Sequence, residues 1–383
     1  MQIRQATAMI AIAVLLMSCG RPAGKEASAA ASSGRTDAAS PARTDAGGDS
    51  AASSARTWPT QPDTSGLSCV LPVALTSPPV GGQGQPDRGG FLDLAKATLA
   101  ADPAGDTRRT SNPNVFETVA KPTLRGTDFS VSYDRPFARW VPSPSALIKA
   151  DGSAYTYALW TSTSVGPGTP TQIHVVDVAS GTDRVVYSGG STDYPVAFAN
   201  EGIYLVTGRW ENSTVGLRAL DPASGAIRTI DATGAWGTVS GGYAWGFSGE
   251  YSGLGAVVGR IDRLDLATGQ VTTWLSLPDG MSGWVAGFDS HGTPVVYSQP
   301  ADGGWTPAPS YAALFSPEVA HRLFAVSQDA QLMIGFAADA TGLWFAGRSG
   351  IYLYGDKGLR LVYSTPTQAG QAAPVAEIAG SCS

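Results

Sequence analysis

The chain has 383 residues and is 43% hydrophobic but only 15% charged, with 47 Gly, 26 Pro and 10 Trp. Few charges, many turn formers and many aromatics suit an all-β protein better than a helical one, and the length holds one large domain or two ordinary ones. With 25 basic against 31 acidic residues and no Lys/Arg cluster, the surface argues against nucleic acid and against anionic lipid as partners.

The first element is a leader. Arg4 is its positive residue, and Ala6 to Met17 form an apolar run too short to span a bilayer as a helix. The run ends in Leu16-Met17-Ser18-Cys19, which resembles the bacterial lipobox. That resemblance implies that residues 1–18 are a lipoprotein signal peptide and that Cys19 is acylated on its thiol as the mature N-terminus, with palmitate-type chains as a membrane anchor. An ordinary secretory leader with a chance cysteine is the alternative. Residues 19–66 follow as an Ala/Ser/Gly-rich tether with one aromatic, a composition unable to offset the entropy of ordering. As a flexible coil it reaches roughly 40 Å root-mean-square. The propeller domain described next takes residues 67–383.

From Ala146 onward two features repeat. "VVDVASGTDRVVY", "LRALDPASGAIRTI" and "RIDRLDLATGQVTTW" place Asp177, Asp221 and Asp265 at intervals of 44 residues. Between them Gly152, Gly202, Gly242, Gly292 and Gly342, spaced 50, 40, 50 and 50, each precede a short β-rich run. A period of 40–50 residues with several strands per unit is the signature of propeller blades. Each unit reads as four strands, A to D; in the third they are Trp236–Ser240, Tyr243–Phe247, Gly259–Asp265 and Gln270–Trp274. The Asp-x-Ala-[Ser/Thr]-Gly element is the C-to-D hairpin, where Asp starts the turn and Gly takes the φ > 0 position. These aspartates are therefore structural, not metal ligands.

The "KADGSAY" hairpin and the Asp turns resemble TolB-like and related Trp-Asp-type bacterial propellers over roughly Ala146 to Thr365, and the whole chain resembles uncharacterised propeller lipoproteins. The resemblance implies a fold and carries no activity. Units four and five depart from it, with "LFSPEVAHRLF" and "YLYGDKGLRLVY" where the Asp turn belongs.

Five units leave both ends over, and these supply a sixth blade. "APVAEIAGSC" serves as strand A, and "SCVLPVAL", "GGFLDLA" and "KATLAAD" as B, C and D. The expected fold is a six-bladed β-propeller closed by N- and C-terminal strands in one blade, which removes an open sheet edge. Strand A ends at Cys382 and strand B begins at Cys69, so a disulfide between them replaces the missing A–B hairpin. The tether then leaves from the tight-turn face.

In this topology the A–B and C–D turns share one face, and the B–C and D–A connections share the other. The second set is long: 161–171, 248–259, 299–310 and a 42-residue passage from Pro103 to Pro144. Arg139, Trp140, Trp210, Glu211, Tyr251 and Trp305 are placed there as candidate ligand-binding residues, while Tyr194, Trp236 and Trp284 fall in channel-lining A strands as either an aromatic rim or interblade packing. No G-x-S-x-G, H-E-x-x-H, P-loop or Ca-loop pattern occurs, and His174, His291 and His321 fall in different blades. No catalytic residue, cofactor or metal is assigned. The reading is a monomeric, lipid-anchored, extracytoplasmic binding or scaffold module for an envelope protein, peptide or glycan. The alternative is a glycan-active hydrolase or lyase using acids such as Glu211, Glu250 and Asp302.

Overall fold

The computed structural model describes residues 58–76, 86–112, 114–127, 130–160, 170–208, 214–247, 259–277, 281–300, 310–315, 320–326, 332–347, 349–365 and 376–382. Thr57–Ser383 form one compact unit. The leader, Cys19 and the tether up to residue 57 lie outside the described residues.

The unit is an all-β, six-bladed propeller. The closing blade has the order Ala376–Ile378, Val70–Thr76, Pro86–Asp93, Thr98–Ala101, so one C-terminal and three N-terminal strands form a single antiparallel sheet. Val73 pairs with Ile378 and Leu71 with Leu92. Blade two comprises Asp193–Ala199, Gly202–Gly208, Thr214–Leu220 and Ile227–Asp231; blade three Ala235–Ser240, Tyr243–Phe247, Arg260–Asp265 and Val271–Ser276. Blade four comprises Met281–Phe288, Pro294–Pro300, Ser310–Phe315 and Ala320–Val326; blade five Leu332–Asp339, Gly342–Gly347, Gly350–Gly355 and Gly358–Ser364.

The turns behave as their residues dictate. In each Asp turn a carboxylate oxygen of the Asp accepts backbone N–H groups two or three residues on: Ser180 at 2.7 Å, Ala223 at 2.9 Å, Ala267 and Thr268 at 2.9 Å. The turn closes on a glycine at φ 72° (Gly181), 74° (Gly225) or 72° (Gly269). Hydrogen bonds to the ionised form, led at Asp221 by the Ser224 hydroxyl at 2.6 Å and at Asp177 and Asp265 by these backbone N–H groups, hold the three carboxyls below the usual range. A Cβ on Gly269 would meet nothing within 4 Å, so Gly269→Ala is charged only for left-handed backbone. It should cost about 1 kcal/mol in a denaturant titration; a loss three times larger would mean that the turn does more than connect strands.

The core lies between blades, where apolar faces of adjacent sheets meet. The blade preceding blade two (blade one, residues 154–189) shares Ile173, Phe198 and Leu205 with it; two and three share Val206, Leu217, Trp236 and Leu264; three and four share Trp245, Ile261 and Val296. Blades four and five share Tyr297, Phe345 and Tyr352, and five meets the closing blade through Trp344, Leu353, Leu71 and Leu92. Each fully buried side chain of this size contributes on the order of 1.5–3 kcal/mol.

Blade one differs from expectation. It has three strands, Ala154–Trp160, Thr171–Asp177 and Asp183–Gly189, and its strand A is reduced to a 3-10 turn at Ser145–Leu147 and a lone bridge from Ile148 to Tyr155. Pro142 and Pro144 supply no N–H and fix φ, which denies this stretch a ladder. The preceding passage is not a loop. It folds into a three-stranded sheet, Thr107–Arg109, Phe116–Thr118 and Lys121–Gly126, and a hairpin, Ser132–Asp134 with Arg139–Val141. The hairpin docks on the closing blade: Tyr133 N–H donates to Ala379 O at 2.8 Å, and Phe116, Val131 and Trp140 pack with Ala74 and Ala379.

Cys69 and Cys382 form a disulfide with a Cα–Cα separation of 5.6 Å. Asp339 secures it from blade five by accepting the Cys382 backbone N–H at 2.7 Å and the buried Trp344 indole N–H at 2.8 Å. The Cys69 carbonyl accepts from Leu94 beside the C–D turn, so the chain enters strand B on the tight-turn face. Before that, however, residues 58–65 lie against blade five, where a tether was expected.

Candidate functional site

Of the six candidate ligand-binding residues, Trp210, Glu211, Tyr251 and Trp305 lie outside the described residues, as do Glu250 and Asp302. Arg139 and Trp140 are described, and the structure does not place them on the long-loop face. Trp140 is 2% exposed; its indole N–H donates to Asp102 at 2.9 Å, and Phe91 and Tyr133 pack on its ring. Gly89 and Gly105 abut the same ring, and a Cβ on either would stand within 3 Å of it. Trp140 is a core ring and offers no surface to a ligand. The Arg139 guanidinium donates to the Val178 carbonyl at the C–D turn of blade one and lies 5.8 Å from the Phe137 ring centroid. Arg139 therefore sits on the tight-turn side. The passage read as an outward loop doubles back as a hairpin, which carries these two residues away from the long loops.

The three channel-strand aromatics have different surroundings. Trp236 is fully buried and donates to Asp231 at 2.7 Å, which makes it interblade packing. Tyr194 is half-buried, meets Trp160 edge-on at 5.7 Å, and covers Gly208, where any Cβ would collide with its ring. Trp284 is 43% exposed and rests on Tyr297 at 4.6 Å between centroids. Beneath the long-loop end, Asp193 is fully buried and accepts from Ser191, Thr207 and Arg218, while Asp262 accepts from Arg260 and Thr273. Thr207 and Thr273 tie each aspartate to the neighbouring strand where the long connections depart, and Arg218 reaches Asp193 from the third strand of blade two.

Two carboxyls raised by burial sit elsewhere, one in the closing blade and one in the hairpin. Glu377, in the channel-side strand of the closing blade, has its carboxyl pushed up to about 7 by burial. Ile378 packs into the core shared with blade five and Ala379 into the core shared with the hairpin, so strand alternation puts Glu377 on the hairpin side. Asp134, at the end of the hairpin's first strand, is 4% exposed. Burial pushes its carboxyl up to about 6, against the pull of Arg139 and with the help of Asp151. Among the described residues its Oδ2 has no hydrogen-bond partner, nor do Nε and Nη2 of the adjacent Arg135. Carboxyls poised near neutrality suit proton exchange.

A second polar cluster was not anticipated either. Under the inserted sheet, Asp183 accepts from Tyr157 at 2.7 Å and from His174 Nδ1 at 2.9 Å, and the Tyr157 and His174 rings stack at 4.6 Å. Because a carboxylate only accepts, His174 Nδ1 carries the proton of that bond, and the buried Nε2 has no hydrogen-bond partner among the described residues. Opposite, Glu117 pairs with Arg125 at 3.0 Å and Arg108 at 3.3 Å. One sequence signal pointed to Glu377: it is the lone charge in the apolar strand "APVAEIAG". The others had none, since their neighbours come from elements that sequence spacing does not join. No group of three or more His, Cys, Asp or Glu capable of holding a metal occurs among the described residues.

No family model matches the sequence, and no curated protein matches it. Among solved structures, TolB from Acinetobacter baumannii is similar at 10% identity and a TM-score of 0.43, over 81% of this chain and 67% of that one. Prolyl oligopeptidase B from Galerina marginata, bound to a 25mer macrocyclization substrate, is similar at 10% identity and a TM-score of 0.46, over 80% of this chain and 52% of that one. A periplasmic gluconolactonase from Pseudomonas aeruginosa is similar at 12% identity and a TM-score of 0.39, over 78% of this chain and 97% of that one.

Proposed function

We propose that the chain is a lipid-anchored, extracytoplasmic propeller that binds or scaffolds an envelope protein, peptide or glycan through its long-loop face. The observation that carries this reading is the segregation of the connections. Among the described residues the A–B and C–D turns lie at one end of the sheets, and the segments 209–213, 248–258 and 301–309, whose sequences include Trp210, Glu211, Tyr251 and Trp305, join strand ends at the other. A closed ring cross-linked between its terminal strands is a rigid platform for such loops, and a disulfide at the closure fits an oxidising compartment.

The test uses Thr57–Ser383, immobilised and challenged with a glycan panel and envelope extract. Ligand retention should fall at least tenfold in Trp210→Ala and Trp305→Ala and stay unchanged in Arg184→Ala, on the opposite face. Equal retention by all three variants would remove the long-loop face from consideration. Turnover of a glycan, abolished by Glu211→Gln or Glu250→Gln, would favour the hydrolase or lyase alternative. Anchoring is tested separately: a palmitate analogue should label the full chain, and Cys19→Ala should abolish both label and membrane retention. A label that persists in Cys19→Ala excludes that residue as the acylation site.

A further inference from the structure

The segment before strand B carries an interaction that neither propeller closure nor tethering requires. The Trp58 indole N–H donates to the Tyr352 hydroxyl at 3.1 Å, and the two rings lie 5.1 Å apart. Trp58 packs at the core shared by blades four and five, which contains Tyr297, Phe345, Tyr352 and Leu361. Four residues on, Pro62 forms a parallel bridge to Leu361 in the outer strand of blade five, and Asp63 N–H donates to the Leu361 carbonyl at 2.7 Å. Arg360 then donates to the Ser65 carbonyl at 3.1 Å. The exposed Asp63 carboxyl, bonded by Ser65 and attracted by Arg360 and Lys357, is held below its ordinary range. A left-handed Gly66, φ 78°, lets the chain turn toward Leu67 and the closing blade.

We infer that Trp58–Ser65 is a strap: an indole-led segment that docks in cis on the outer edge of blade five through a single β-bridge and moves the departure point of the N-terminal segment from the tight-turn face to the outer wall. The chemistry suits an outer edge. Pro59 and Pro62 are pre-extended and lack the N–H that an edge position leaves unused, while Asp63 spends its own N–H on the edge-strand carbonyl of Leu361. The bridged segment also covers part of an edge open to other chains. The groove is thus a β-augmentation site for an extended, aromatic-led segment, and its occupant is this chain's own. Where the chain is membrane-tethered, as proposed above, a docked strap presents the disc by its rim, and a released strap presents it by the tight-turn face. That consequence depends on anchoring, whereas the docking does not.

Hydrogen exchange read by mass spectrometry on the full chain tests the docking without reference to lipid. Peptides covering 58–66 should exchange at least tenfold slower than an unstructured segment. Trp58→Ala should abolish that protection while blades one to three stay protected. Tyr352→Phe, which removes only the hydroxyl acceptor and retains the packing, should weaken protection in 58–66 selectively. Unprotected exchange of 58–66 in the wild-type chain, or protection indifferent to Trp58→Ala, overturns the strap. Neither result bears on whether Cys19 is acylated, so failure of the anchor and failure of the strap are distinguishable.

Discussion

Cys382→Ser is expected to lower the thermal unfolding midpoint by about 8 °C. The bond joins positions 313 residues apart. Removing that constraint from the unfolded chain releases about 5–6 kcal/mol by chain-entropy arithmetic, an upper figure. The folded unit of 327 residues, Thr57 to Ser383, has an unfolding entropy of about 2 cal/mol/K per residue, which converts that energy to about 8 °C. The location makes the loss specific. Strand A of the closing blade has three residues, Ala376–Ile378, and the disulfide stands where the other blades have a covalent hairpin. Without it, a short strand is held by its ladder to Val73–Leu75, the Ala379 contacts, and the Asp339 carboxylate on Cys382 N–H. Cys69→Ser and the double variant should match Cys382→Ser, because each breaks the same link. A midpoint unchanged by all three, or two titratable thiols in the exported protein, would sink the prediction.

That closure was legible in the sequence because it rests on local signals. Glycines at fixed phase mark the A–B turns, Asp and Gly mark the C–D turns, and a cysteine stands at each end of the folded region. Turn chemistry acts within four or five residues, so one sequence suffices to read it. The strands of blade three accordingly fall within two residues of their expected limits. The insertion was not legible for the converse reason. Its strands are mostly three residues long, too short to display alternation, and they gain stability from packing on two blades. Trp140 looked like a loop aromatic because its partners Asp102, Phe91 and Gly89 lie 38 to 51 residues earlier in the chain. Trp58 looked like part of a polar tether because Tyr352 is 294 residues away.

The candidate site was less legible than the fold. Propeller loops carry function on a scaffold whose turns and cores are set independently of it. The residues that encode blades therefore say nothing of a ligand. Arg139 and Trp140 were grouped with the loops by residue type, and the hairpin separates them. The raised carboxyls emerge only with tertiary packing: Glu377 is buried once the C-terminal strand joins the closing blade, and Asp134 once the hairpin packs beside the turn that carries Asp151 and Gly152.

Those carboxyls make the last prediction, a pH dependence of stability. Glu377 titrates at about 7 in the folded protein against an ordinary value of 4.5, because burial disfavours its charged form. Between those values the folded state binds more protons than the unfolded state, so stability falls as pH rises from about 4.5 and levels off above about 8. For a shift of this size the fall is on the order of 3 kcal/mol. Asp134, raised to about 6 by burial, bends the same curve in the same direction at slightly lower pH. The aspartates of the C–D turns act oppositely: their lowered values withdraw stability only as pH drops toward and below the ordinary carboxylate range. Glu377→Gln isolates the first effect, since an amide of the same shape keeps the packing and cannot ionise. The difference in unfolding free energy between variant and wild type should be near zero at pH 4.5 and favour the variant by on the order of 3 kcal/mol at pH 8. Parallel stability curves across that window would mean that the Glu377 carboxylate is solvated in the folded protein.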